Sequence, residues 1–522
     1  MVAASGKMQL NMSNRSNSDL TPVVPRKVRP AFFMLVACFA LWGLLNNMTD
    51  NLVPAFQRIF TMDQSRAGLV QVAFYGAYAV LAIFASILIE EFSYRIGLLI
   101  GLGIYVLGAL LYIPACVAQD FEIYFIAIFV VAGGCSLMET TCNPFVLSLG
   151  DKKTAVRRLN FAQAFNPVGS ITGIALASGL ILANLNPATA EERRTMDPEQ
   201  LRSIIHSELF WVCAPYVGLC AIALLIWCFF LRYKGEAREE TVGSEKSVGS
   251  RLSRVFIALL FAALPLWIML EIWPDMDKVT WVLCGMIGPF VYLLMMKDYR
   301  SMLFTLLRKP RYTCGVVAQF FYVGVQIAAW TWLNAYCQRE LGVDPATASH
   351  YYLASIVMFI ICRWTATYYM KKFNPAGMMA LFAVAAIITC AGVMYLPSSV
   401  LFTIGGHPVT PNVIALVLMS GCMSLMFPTI YGIALGGLGN EVKLGAAGLI
   451  MAILGGAVIT PWMASIISSG DYNCLVSGFS TEVDTTLKCS SASLRASFIV
   501  PAICFAVVLV YALIFRKPLE EK

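Results

Sequence analysis

Two carboxylic acids sit where an apolar chain should not keep them. Asp50 lies in LWGLLNNMTDNLVPAF (residues 41–56) and Glu139 in CSLMETTCNPF (residues 135–145), both within long runs of Leu, Val, Ile and Phe. Amides gather around each acid: Asn46 and Asn47 precede Asp50, and Ser136 and Asn143 flank Glu139. A third stretch, NFAQAFNP, supplies Asn160, Gln163 and Asn166 at successive spacings of three. Residues three and four apart share a helix face, so Asn46, Asn47 and Asp50 line up with Gly43 one turn earlier, as do Ser136, Glu139 and Asn143. Pro54, Pro144 and Pro167 close the three groups, each removing one backbone hydrogen bond from its helix. An ionised acid in a bilayer costs at least ~3 kcal/mol on the gentlest scale and must face a cavity or partners. Withdrawal of water penalises the charged form of a carboxyl, so such a group can load a proton on one side of a barrier and release it on the other. Amides both donate and accept, which suits the hydroxyls of a polyhydroxylated solute. Proton coupling is expected of Asp50 and Glu139. Solute contact is expected of Asn46, Asn47, Gln163 and Asn166. The structural alternative is that the amides only tie helices together.

Aromatic faces would complete such a site. Trp42 lies near Asp50, and YVGVQIAAWTWLNAY places Gln326, Trp330 and Asn334 four apart on one helix face, with Trp332 and Tyr336 on another. Plain packing between helices is the alternative for both sets. Intramembrane acids are nearly missing from the second half: Glu271 falls near a helix end, Arg363 follows Cys362, and Phe427 occupies roughly the place of Glu139. Coupling is therefore expected in the first half, against a wall of amides and aromatics in the second.

The elements that hold these residues follow from composition. Hydrophobic residues are 59% of the 522 and charged residues 13%, with a mean hydropathy of +0.74; soluble domains carry about 25% charged residues. Apolar runs of about 20 residues recur, each long enough to cross the hydrocarbon core and far longer than the ~10 alternating residues of a barrel strand. The chain reads as an all-α polytopic membrane protein with a lipid bilayer as its partner. The net charge of +7 sits in short loops as a topology signal, so no nucleic acid is expected.

Six spans are expected at 31–60, 67–90, 96–118, 121–149, 159–185 and 209–231, and six more at 312–337, 350–370, 377–396, 411–438, 445–469 and 498–515. Between the two sets lie the charged stretch RYKGEAREETVGSEKSVGSRLSR (232–254) and two apolar runs, 255–273 and 279–296, joined by PDMDK. The plan is a disordered tail at 1–30, a bundle at 31–231, a linker at 232–254, a transmembrane hairpin at 255–296, a second bundle at 297–516 and a tail at 517–522: fourteen transmembrane helices. The polar, Ser/Asn-rich start lacks the short apolar core of a signal peptide. Basic residues concentrate at Arg26, Lys27, Arg29, Lys152, Lys153, Arg157, Arg158, Arg308, Lys309, Arg311, Lys371, Lys372 and in the linker. The positive-inside rule then puts both termini in the cytoplasm.

Sixteen cysteines show no CxxC or Cys/His metal spacing, and His206, His350 and His407 fall in expected loops, so no metal site is expected. Cys474 and Cys489 share one outer loop. An oxidising exterior would allow a disulfide there, and two free thiols are the equal alternative. No phosphate loop or nucleophile–base pair is visible, so neither an enzyme, nor ATP as energy source, nor a cofactor is expected.

EEFSYRIG and KKFNPAG stand at equivalent loops of the two halves, as GCSLMETTCNPF and GCMSLMFPT stand at equivalent helices. Paired six-helix repeats build the largest class of secondary transporters. ALWGLLNNMTDNLVPAFQ, SLMETTCNPF, LNFAQAFN, FFYVGVQIAAW and FPTIYGIALGGLG resemble the fucose permease branch of the major facilitator superfamily, in order and through both halves. The resemblance implies two pseudo-symmetric bundles around a central cavity with alternating access, and import of fucose, glucose or galactose by proton symport across a bacterial inner membrane. It implies that Asp50 joins sugar binding to proton coupling, that Glu139 is essential to protonation, and that Asn46, Asn47, Gln163 and Asn166 line the cavity. The extra hairpin, Asn334 in place of a basic residue, and the long loop of Cys474 and Cys489 depart from the branch. The reading is a monomeric hexose–proton importer. The rivals are a sodium-coupled or uniport carrier of the same fold, and a membrane sugar sensor, which would need a larger soluble output module than the linker and tails provide.

Overall fold

A computed structural model describes residues 23–50, 52–62, 69–188, 190–233, 247–272, 278–469 and 492–516. Without water to satisfy the backbone, a segment inside a bilayer must bond to itself, and helices occupy every one of the fourteen expected positions. In the first half these are α1 (Arg29–Asp50) with α2 (Leu52–Ile59), α3 (Leu69–Glu91), α4 (Tyr94–Ala118), α5 (Phe121–Ser148), the broken pair α6 (Ala155–Gln163) and α7 (Asn166–Leu176), and α8 (Pro198–Arg232). The hairpin is α9 (Val248–Ile272) and α10 (Lys278–Met295), and α11 (Lys297–Leu307) leads on. The second half comprises α12 (Pro310–Leu341), α13 (Pro345–Tyr369), α14 (Pro375–Tyr395), the broken pairs α15 (Pro411–Met423) with α16 (Met426–Leu435) and α17 (Val442–Met451) with α18 (Gly455–Ser469), and α19 (Ile499–Ile514). Among the described residues, eleven helical stretches are long and apolar enough to cross a membrane. Their ends are fixed by local chemistry: Ser93, Asp120, Asp197 and Asn374 cap helix N-termini with their side chains, and Gly342 closes α12 at φ 64°.

The two halves repeat one packing scheme. α1 packs on α7 as α12 packs on α18; α4 packs on α5 as α14 on α15; α3 packs on α5 as α13 on α15; and α4 packs on α8 as α14 on α19. The first of these pairs is fused by backbone contact in both halves. A Cβ at Gly169 would lie 1.9 Å from the Ala40 carbonyl oxygen, and one at Gly455 would lie 2.0 Å from that of Phe320. Small residues at such crossings let membrane helices approach closely.

The principal contacts between the halves are equally symmetric. α17 packs on α3 and α5, and α6 packs on α13 and α16. Each of these two segments begins its span at the end of the bundle that carries both chain termini, so the halves close on each other at that end. The hairpin packs on the outside of α3. Glu91, at the end of α3, accepts from the Tyr299 hydroxyl at 2.6 Å and pairs with Arg254 at 3.2 Å.

Several expectations are corrected. His206 lies in α8 and His350 in α13, while His407 lies in a short strand, β2 (His407–Val409), paired with β1 (Phe402–Ile404). The pair turns through Gly405 and Gly406, both at positive φ, a Gly-Gly hairpin signal that the apolar survey passed over. The sixth span starts at Pro198, ahead of residue 209, because Asp197 and Pro198 form a polar N-terminus for α8. Its early turns are stabilised by the buried pair of Arg193 and Glu208, at 2.8 Å. α9 likewise starts ahead of residue 255, within the expected linker. α11 is helical where no element was expected, being too polar to register as a span. Cys474, Cys489, residues 1–22, 234–246 and 517–522, and the side chains of Asp50 and Glu271 lie outside the described residues.

Candidate functional site

α5 carries the centre of the site because its middle is sealed: every residue from Val131 to Val146 is buried. Glu139 is 3% exposed, and neither carboxyl oxygen has a hydrogen-bond partner among the described residues. Glu139 lines a small cavity together with Cys38, Phe39, Trp42, Met138 and Cys142, from α1 and α5. The Trp42 Nε1 and the Tyr78 hydroxyl are buried beside each other, the Tyr431 hydroxyl is buried with no hydrogen bond among the described residues, and both tyrosines lie near Glu139. Tyr431 comes from α16, so a side chain of the second half lies near the acid of the first. A buried carboxyl with neither oxygen hydrogen-bonded and no cation paired to it among the described residues is suited to holding a proton.

The amides form a chain leading to that acid. Gln163, the last residue of α6, donates to Asn143 Oδ1 at 2.6 Å, and Asn143 donates to the Glu139 carbonyl oxygen at 3.0 Å. Ser136 donates to the Tyr78 carbonyl at 3.3 Å. Asn166 reaches back to the Phe39 carbonyl on α1 at 3.3 Å, and Asn47 to the Gly43 carbonyl of its own helix at 3.1 Å. Asn46 keeps a buried, unpartnered Oδ1. Asn160 spans the halves, donating to Thr429 at 3.3 Å. Asn143, on the expected face with Glu139, thus meets Gln163 directly, while the Glu139 carboxyl stands apart from their hydrogen bonds. Asn166 and Asn47 spend a donor on helix contacts instead. Asp50 is the last residue of α1.

On the second-half wall, Trp330 donates from Nε1 to Ser420 at 3.1 Å and meets Phe359 edge-on at 5.3 Å. Gln326 is half-buried on the same helix, and Asn334 holds a buried, unpartnered Oδ1. Two residues were not weighed for the site. Gln319 is fully buried with both amide atoms unpartnered, yet it stands alone in VVAQFFYV, where no polar neighbour draws notice. Arg363 was noted only as an oddity; its guanidinium donates to the main-chain carbonyls of Ser424 and Gln163, the latter at 3.0 Å, over the Phe359 ring.

The arrangement is a closed polar core between two bundles, with an acid available for protonation and amides available for hydroxyls. No group of three or more His, Cys, Asp or Glu that could hold a metal occurs among the described residues.

Residues 31–461 match the Major Facilitator Superfamily. An L-fucose-proton symporter of Haemophilus influenzae is 33% identical over 494 residues, covering 94% of this chain and 97% of that protein. An L-fucose-proton symporter of Escherichia coli is 30% identical over 482 residues, covering 92% of each chain. The crystal structure of the transporter FucP in the outward conformation superimposes with a TM-score of 0.72 at 28% identity, covering 94% of this chain and all 100% of that one. The chain belongs to the Major Facilitator Superfamily, in the branch that holds L-fucose–proton symporters.

Proposed function

We propose that this chain imports a hexose of the fucose, glucose or galactose type by proton symport, through alternating access of one central cavity. The observation that carries the reading is Glu139: a buried carboxyl with neither oxygen partnered among the described residues, on the helix turn whose main-chain carbonyl accepts from Asn143, which in turn accepts from Gln163. Protonation and sugar binding then meet on one helix turn, where each can favour the other. Asp50 is the second proton-coupling acid, at the far end of α1 from its start. Asn46, Asn47, Gln163, Asn166 and Trp42 contact sugar from the first half, and Gln326, Trp330 and Asn334 from the second. Both termini lie in the cytoplasm of a bacterial cell, a reading supported by the basic residues gathered at the termini end. Contacts between halves at that end correspond to a cavity shut on the cytoplasmic side, the state that awaits external sugar. The transporter works as a monomer, and its hairpin crosses the membrane beside α3.

The test is uptake into proteoliposomes of L-fucose, D-glucose and D-galactose, with a proton gradient, with a sodium gradient and with neither. Accumulation of at least one hexose under the proton gradient alone is expected. Accumulation driven by sodium alone, or equilibration without accumulation under every gradient, would refute proton symport.

A further inference from the structure

Arg363 is a buried cation on α13, 4% exposed, for which no carboxylate partner occurs among the described ion pairs. Its partners are two main-chain carbonyls, those of Gln163 and Ser424. These two are not arbitrary. A proline lacks the N–H that would bond to the carbonyl four residues earlier, and the chain has Pro167 four residues after Gln163 and Pro428 four residues after Ser424. Each proline sits beside a break in a span: α6 ends at Gln163 before α7 begins at Asn166, and α15 ends at Met423 before α16 begins at Met426. One broken span belongs to the first half and the other to the second.

We infer that Arg363 is a positioning residue for the sugar site: its guanidinium caps the two carbonyls freed by Pro167 and Pro428, and so fixes the turn from which Gln163 presents its amide. A planar guanidinium carries five N–H donors in a rigid fork and serves two carbonyls at once. The Gln163 contact crosses between the halves, next to Trp364, which packs edge-on against Phe161 at 5.5 Å and Phe165 at 5.1 Å. Opening the termini end separates α13 from α6 and breaks this contact, so the order of the sugar amide and the closure of that end are joined in one bond. The inference rests on the sugar-binding role of Gln163 proposed above.

The experiment measures equilibrium binding of L-fucose, with D-glucose and D-galactose in parallel, to purified wild type, Arg363→Ala, Arg363→Lys, Gln163→Ala and the double variant, together with KM and kcat for uptake in proteoliposomes. Arg363→Ala should weaken binding by about tenfold, the order expected for one well-made hydrogen bond. Arg363→Lys, whose ammonium reaches one carbonyl, should lose about threefold. Because Arg363 acts through Gln163, the double variant should bind no worse than the weaker single variant. Should Arg363→Ala not fold, the Lys variant is read in its place, with an unchanged melting temperature and a raised KM. Wild-type affinity in the Arg363 variants alongside a weakened Gln163→Ala overturns the inference alone, as do fully additive losses. Wild-type affinity in Gln163→Ala, or no binding of any hexose by wild type, overturns the proposed site and this inference with it.

Discussion

In the first half, Gln163 and Asn143 hydrogen-bond each other at 2.6 Å beside a carboxyl that has no partner of its own. In the corresponding helix of the second half, Phe427 takes the place of that acid and stacks on Tyr431 with ring centroids 6.1 Å apart. The scaffolds around the two are the same: helix pairs recur one for one, down to glycines that press α7 on α1 and α18 on α12. The difference teaches that the repeat fixes where a polar core can exist, and that side chains then divide the work. On the proposed function the first half holds the proton-coupling acid. The second half contributes the aromatic side chains Trp330 and Phe427 and, among its buried cations, Arg363, which attends to backbone.

The largest effect should come from removing that asymmetry. Glu139→Gln keeps the shape and loses the proton, so proton-driven accumulation should fall about a hundredfold or more, the lower end for losing an essential acid–base group. Sugar counterflow, which needs no net proton movement, should persist. Sugar affinity in wild type should decline as pH rises and the carboxyl is emptied, and in Glu139→Gln that dependence should shrink to what Asp50 alone contributes. Accumulation that survives Glu139→Gln would move the coupling chemistry elsewhere and break the contrast.

Next in size, Gly169→Leu and Gly455→Leu should damage the two halves alike. A Cβ at either position meets a carbonyl oxygen at 2.0 Å or less, and backbone cannot yield as a side chain tip does. A loss of about 3 kcal/mol is expected for each, read as the melting temperature of purified protein. Tolerance at one position only would show that the scaffolds are less alike than their packing. Smaller is Asn143→Ala, which strips the acceptor from Gln163 and should raise KM about tenfold with kcat little changed. Smallest is Tyr299→Phe, which removes the 2.6 Å donor to Glu91 under the hairpin. It should lower stability by about 1 kcal/mol and leave uptake intact, as fits a hairpin outside both halves.

Much of this was legible in the chain. The helices at the expected positions follow from apolar run length, and the shared face of Ser136, Glu139 and Asn143 follows from spacing, because helical periodicity and bilayer energetics act locally; that Gln163 meets Asn143 does not. What spacing misses is irregular or solitary. A continuous helix was drawn across Asn160, Gln163 and Asn166, whereas the span breaks at Ala164 and Phe165. Pro167 announced that break, and Pro428 its partner, but which group would bind the released carbonyls depends on α13, some 200 residues away from Gln163. Gln319, isolated among apolar neighbours, gives no pattern to read. His206 and His350 fall in the early, more polar turns of α8 and α13, and His407 in a short strand pair, where hydropathy carries little information.

The most direct test of the account is whether sugar brings a proton with it. Adding L-fucose, D-glucose or D-galactose to lightly buffered proteoliposomes should alkalinise the medium in step with entry of the transported sugar, and Glu139→Gln should take up that sugar by exchange with no such signal. Sugar entering wild-type vesicles while the external pH stays flat would contradict it.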